Sequence, residues 1–161
     1  MSNDSQVAEG RIHEFTTQSG VDTIEVGRKL ASLLKPPQLL LLRGDLGTGK
    51  TTLVKGIAQA LDAADADEVT SPTFTLVHEY EGTQDGKPVK LFHLDVYRLE
   101  GERQLETLGL DDLLTQDALV LVEWGDKFKS IAKRATGEIA ITSEGGDARK
   151  IRVLLKDNPA S

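Results

Sequence analysis

The sequence has no cysteine in 161 residues, which excludes disulfide bonds and thiolate metal sites and is compatible with a reducing compartment. No apolar run approaches the roughly 20 residues of a membrane-spanning helix. Met1 to Gly10 is polar without an apolar core, so it does not read as a secretion signal. Positive charge is in the minority, with 19 Lys and Arg against 26 Asp and Glu, a formal net charge of -7. That balance argues against direct, non-specific nucleic-acid binding, because phosphate neutralisation supplies most of such affinity. It leaves room for a protein that works beside RNA held by a partner. No Asn/Thr-Lys-x-Asp motif for reading guanine is present. These features describe a soluble, cytoplasmic chain: one domain over 11–156, between flexible tails at 1–10 and 157–161.

What the chain does contain is Gly44-Asp45-Leu46-Gly47-Thr48-Gly49-Lys50-Thr51, the phosphate-loop pattern of Gly, four residues, Gly, Lys and Ser or Thr. Its glycines let backbone N–H groups close on an anion. Lys50 would reach the β- and γ-phosphates, and the Thr51 hydroxyl would take a place on Mg2+. The context fits. Leu39 to Leu42 is unbroken and apolar, as a strand buried on both faces would be. Leu53, Ile57, Ala60 and Leu61 follow at helical spacing, so a helix N-terminus lies under the phosphates. The chain is expected to bind a nucleoside triphosphate.

Elsewhere, Arg11 to Thr16 alternates as a first strand, and a helix runs from Asp22 until Pro36-Pro37 stops it. Ala63 to Glu68 reads as a loop, and Val69 to Val77, broken by Pro72, as a loop or short strand. Gly82 to Pro88 reads as a hairpin turn before a returning strand, Val89 to Asp95. Strands joined so closely are antiparallel, which makes the sheet mixed. Short helices around Gly109, a second apolar strand from Ala118, a polar helix or loop from Asp126 to Arg134 and a final hairpin complete the pattern.

A triphosphate site needs acids at strand ends beside the loop. Asp95 and Glu123 qualify, each to bind Mg2+, directly or through water, or to orient the attacking water. Ser71-Pro72-Thr73 is placed either as a γ-phosphate sensor or as a Ser-Pro turn that merely starts a strand. His93 and Asp95 share a strand face, so a hydrogen bond holding Asp95 is preferred to zinc ligation. Arg98 reads first as a structural ion-pair partner, with transition-state or partner contact as alternatives. Trp124, the only tryptophan, lies against the base or in the core.

Taken together, the loop from Gly44 to Thr52, Ser71-Pro72-Thr73-Phe74-Thr75-Leu76-Val77-His78-Glu79-Tyr80, His93-Leu94-Asp95-Val96-Tyr97-Arg98-Leu99 and Glu123-Trp124 resemble the TsaE (YjeE) family over about residues 19 to 155. The resemblance implies an α/β, P-loop NTPase-like three-layer fold, a central mixed β-sheet flanked by helices. It implies weak Mg2+-dependent ATP hydrolysis and docking to a TsaD-type transferase and its TsaB-type paired subunit. The ATP cycle would reset the transferase during threonylcarbamoyl modification of tRNA adenosine beside the anticodon, with tRNA touched only through the partners.

Carried onto this chain, Gly47, Thr48, Gly49, Lys50, Thr51 and Thr52 hold the phosphates, while Thr51 and Glu123 bind Mg2+. Asp95 is the motif acid, and Ser71 to Thr73 the switch. Arg149 resembles a basic position near the nucleotide. Gly125-Asp126 stands where the family often carries Pro and a further polar residue. Two other readings compete: a nucleotide-gated binding subunit in which occupancy alone controls docking, and a small-molecule kinase, which would need an acceptor pocket and usually an Arg-rich lid.

Overall fold

Leu39 to Leu42 form the middle of the central strand, β2 (Gln38–Arg43), in the computed structural model, which describes residues 11–45, 47–65, 68–72 and 76–156. The expected tails and Leu46 of the phosphate loop lie outside the described residues. β2 is flanked on both sides because its side chains alternate into two apolar layers. Leu40 and Leu42 enter one core with α1 (Gly20–Ala31) and α2 (Lys50–Ala60). Leu39 and Leu41 enter the other, under α3 (Glu102–Leu108), α4 (Leu110–Leu113) and α5 (Lys129–Arg134). The result is the expected three-layer α/β fold.

The remaining strands are β1 (Arg11–Thr17), β3 (Val77–Gln84), β4 (Lys87–Asp95), β5 (Ala118–Glu123), β6 (Gly137–Gly145) and β7 (Ala148–Leu155), and the sheet order is β1-β7-β6-β2-β5-β4-β3. β2 pairs in parallel with β5 and β6, and β4 in parallel with β5. The two hairpins and the β1–β7 pair are antiparallel, so the sheet is mixed. Strands β2, β4 and β5 therefore finish at one edge. Leu42 and Asp95 are both register partners of Glu123, one on each side. Among the described residues no helix is long and apolar enough to cross a membrane.

α1 and α2 lie against each other through two glycines. A Cβ on Gly27 would sit 2.3 Å from the Leu53 carbonyl oxygen, and one on Gly56 2.0 Å from that of Ile24. Backbone meets backbone there, which fixes α2, and with it the phosphate loop, at one height above the sheet.

Two boundaries differ from the sequence expectation. α1 is capped by Ser19, whose hydroxyl accepts from Asp22 N–H, and stops at Ala31, before the prolines. There Ser32 Oγ donates to the Lys29 carbonyl, an alternative to continuing the helix. The β3–β4 turn is only Asp85-Gly86, both with positive φ (54° and 79°), as a tight Asp-Gly hairpin requires. Gly82 is inside β3, where a Cβ would come within 2.2 Å of the Leu61 carbonyl oxygen. Residues 69–72 form no strand, which agrees with the loop reading of that stretch.

Candidate functional site

The loop after β2 turns because Thr48 donates from both its backbone N (3.1 Å) and its hydroxyl (2.7 Å) to the Asp45 carbonyl. Gly47 and Gly49 adopt positive φ, 81° and 106°, conformations in which a side chain would be strained. Gly49 stands at the N-cap of α2 with no side-chain cap, and no acid stands in the first turn. The first N–H groups of that helix are thus left for an anion, reinforced by the helix dipole.

Arg149, from β7, fastens the loop from behind. Its Nε donates to the Thr48 carbonyl at 2.7 Å and one terminal nitrogen reaches the Gly47 carbonyl at 3.4 Å. The other terminal nitrogen bonds the carbonyls of Gly146 and Ala148. A trans peptide puts C=O and N–H on opposite sides, so turning the Thr48 carbonyl toward Arg149 aims the Gly49 N–H the other way. Arg149, expected by resemblance near the nucleotide, contacts the backbone of the phosphate loop and lines the hollow beside it.

Lys50 opens α2. Its Nζ donates to the Gly44 carbonyl at 2.6 Å and lies 3.2 Å from Glu123 Oε1. The second carboxylate oxygen accepts from His93 Nε2 at 2.6 Å. A carboxylate only accepts, so His93 carries its proton on Nε2. Asp95, the register partner of Glu123, is buried too, and its Oδ1 accepts from the Tyr97 N–H at 3.0 Å. His93 was expected to hold Asp95; it hydrogen-bonds Glu123 instead, because the β4–β5 pairing brings that carboxylate beside it on the same face.

These groups converge on a cleft of about 520 Å3 lined by Gly47, Gly49, Lys50, Thr51, Thr52, Ser71, Asp95, Tyr97, Glu123 and Trp124. A second hollow, about 530 Å3, opens on the β6 side of the loop beside Arg43, Asp45, Thr142, Ser143 and Arg149. Thr73, and with it Phe74 and Thr75, lies outside the described residues.

Trp124 is half-exposed on the rim, not in the core. Its ring packs against Tyr97 with centroids 4.8 Å apart, and Lys50 Nζ lies 5.9 Å from the indole. Its backbone is left-handed (φ 66°), a costly conformation for a bulky residue and one concentrated at functional sites. Gly125 follows because a Cβ there would press on Leu41, Ile131 and Val122. Asp126 pairs with Arg43 at 3.4 Å. Sequence reasoning missed Lys127, which donates to the Tyr97 carbonyl (2.5 Å) and lies over the Tyr97 ring. Its only signal was proximity to Glu123-Trp124.

Among the described residues no three His, Cys, Asp or Glu side chains gather as a metal cage. Mg2+ needs none, since it keeps several waters and takes one or two carboxylates beside substrate phosphates. Two buried carboxylates and the Thr51 hydroxyl, all oxygen donors on one cleft, fit it.

Glu123 also sets a pH dependence. Burial pushes its pKa up, but hydrogen bonds from His93 and Lys50 and attraction to both outweigh this and leave it below the usual carboxylate value. A lowered native pKa stabilises the fold above the unfolded value, roughly 4.3, and the contribution disappears as pH falls through the native one. The stability gap between wild type and Glu123→Gln in urea titrations therefore shifts in favour of the wild type as pH rises from 3 to 6. A pH-independent gap would refute this.

A family model described as "Threonylcarbamoyl adenosine biosynthesis protein TsaE" matches residues 17–151. The tRNA threonylcarbamoyladenosine biosynthesis protein TsaE of Bacillus subtilis is 38% identical over 145 residues, 90% of this chain and 87% of that protein. The Aquifex aeolicus protein of the same name is also 38% identical, over 90% of this chain and 98% of its own. The crystal structure of Bacillus subtilis YdiB superposes with a TM-score of 0.65 at 31% identity, covering 92% of this chain and 88% of that one.

Proposed function

The chain belongs to the TsaE family, which acts in tRNA threonylcarbamoyladenosine biosynthesis, and from that premise we propose that it is a Mg2+-dependent ATPase subunit that docks to a TsaB–TsaD transferase and resets it between turnovers. The observation that carries this reading is the convergence of an uncapped helix N-terminus, Lys50 and two buried strand-end acids on one cleft. A binding-only site has little use for two desolvated carboxylates facing a phosphate cradle.

In this reading Gly47 to Thr52 hold the phosphates, and Lys50 leaves Glu123 for the β- and γ-oxygens. Thr51, Glu123 and Asp95 would hold Mg2+, which supplies charge neutralisation on the phosphates when bound. Asp95 or Glu123 also orients the attacking water, and Ser71 to Thr73 senses the γ-phosphate. Arg149 acts through the loop it fastens. Trp124 lines the cleft beside Glu123 and a smaller hollow beside Gly44, Asp45 and Lys50, while the hollow beside Arg149 gives the nucleoside room on the β6 side of the loop. The exposed Tyr97–Trp124 pair is then left at the cleft mouth, where a partner can cover it. tRNA is reached through the partners, in the cytoplasm.

Steady-state hydrolysis of Mg-ATP, measured alone and with a purified TsaB–TsaD pair, tests this. A low rate alone and clear stimulation by the pair is the expected result. If Asp95→Asn still binds ATP, has lost hydrolysis and yet supports many rounds of tRNA modification, occupancy rather than hydrolysis drives the cycle and the ATPase reading fails.

A further inference from the structure

We infer that His93 is the positioning residue of this site: its Nε2–H keeps the Glu123 carboxylate in place at the moment a triphosphate draws Lys50 away. The inference rests on the ATPase reading above and deepens it.

His93 is fully buried on β4, between Phe92 and Leu94 and facing the α2 side with Leu91. An apolar residue would fill such a position at no desolvation cost, so a polar ring there needs a partner. It has one. Glu123 stands diagonally across on β5, two register positions beyond the His93–Leu121 pair and on the same face, and the two side chains meet at 2.6 Å. The other ring nitrogen, Nδ1, is buried without a hydrogen-bond partner among the described residues. All of the ring's hydrogen bonding seen here is spent on Glu123.

Glu123 has two holders of different kinds. Lys50 is a flexible ammonium shared with the Gly44 carbonyl, and it is the group that phosphates recruit. When it moves, Oε1 is released toward the cleft, where a metal or its water can take it. Oε2 stays on a ring that cannot leave the core. A carboxylate fixed by one oxygen and free at the other is pre-oriented; without His93 it would rotate about its own bonds.

The geometry distinguishes two amides. The terminal nitrogen of glutamine reaches about as far as histidine Nε2, whereas that of asparagine falls short. Mn2+, visible by electron paramagnetic resonance, is titrated into wild type, His93→Gln and His93→Asn, each saturated with a non-hydrolysable ATP analogue. His93→Gln is expected to bind Mn2+ within about threefold of wild type and His93→Asn roughly 10- to 100-fold more weakly, the usual cost of losing a partner that orients a metal ligand. Analogue affinity in EDTA stays unchanged in both. Equal Mn2+ affinity in wild type and His93→Asn, or equal loss in the two variants, overturns the assignment, since a space-filling ring predicts no such split.

A wild-type readout covers the case in which a variant does not fold. Long-range proton–nitrogen NMR should show His93 protonated on Nε2, with and without the analogue. Protonation on Nδ1 alone overturns the inference. A wild type that binds no nucleotide overturns the ATPase reading together with this assignment, whereas the variant results overturn this assignment alone.

Discussion

Gly56→Val is expected to destabilise the protein by about 3 kcal/mol or more, the upper end of what overpacking costs. The obstacle is the Ile24 carbonyl, 2.0 Å from where the new Cβ would be, with the Arg28 N at 3.0 Å. Neither is a side-chain end that can swing aside. Valine adds two methyl groups beyond that clash, so α1 and α2 must separate along their whole contact. Both helices bury their inner faces in the same core, and separation would open gaps around Val26, Leu30, Leu53 and Ile57. For a chain of this length the loss lowers the melting temperature by about 6–12 °C. Gly20→Ala is the matched control: it begins α1, has no atom within 4 Å of its would-be Cβ, and should change stability by less than about 0.5 kcal/mol. Equal melting temperatures for the two variants would show that the helices do not touch as described.

Lys50→Ala is expected to fold and to lose nearly all of the thermal shift that Mg-ATP gives the wild type. At 100 times Kd a ligand stabilises the native state by about 2.7 kcal/mol, or about 5–11 °C here. Charge-assisted hydrogen bonds are worth roughly 1.5–3 kcal/mol each, so losing the ammonium costs on the order of 100-fold in affinity. The same ATP concentration then stabilises by only about 0.4 kcal/mol, a shift of about 1–2 °C. Folding survives because Glu123 keeps its hydrogen bond to His93 and because the buried core does not include Lys50. Differential scanning fluorimetry with and without Mg-ATP decides it. A full shift in the variant would mean that the nucleotide sits elsewhere.

The features legible in the sequence were those written in local chemistry. The four leucines of β2, the apolar run of β5 and the phosphate loop each declare themselves within ten residues. Asp95 and Glu123 stood out because strand ends beside such a loop are where a metal-bound phosphate needs acids, and both line the cleft. What could not be read depends on register between distant segments. Alternation gives the face on which His93 lies, but only the β4–β5 pairing shows that Glu123, not Asp95, is within its reach. Arg149 meets the loop carbonyls because β7 folds back beside β6, a neighbour of β2. Gly82 looked like a turn residue, yet its lack of a side chain serves the approach of Leu61 from another segment. Glycine has two uses, and sequence shows only that it is glycine.

The sheet order carries a consequence for synthesis. Among the described residues β1 pairs only with β7, with Arg11 opposite Leu155. At 5–20 residues per second the roughly 140 residues between them take on the order of 10 s to translate. The strands and the phosphate loop in between can collapse during that interval, but β1 has no edge to join. β1, which leaves the ribosome before the other described strands, is thus among the last to be placed. A chain halted before β7 leaves the outer edge of β6 bare and β1 unattached, two open strand edges at which nascent copies can pair with each other.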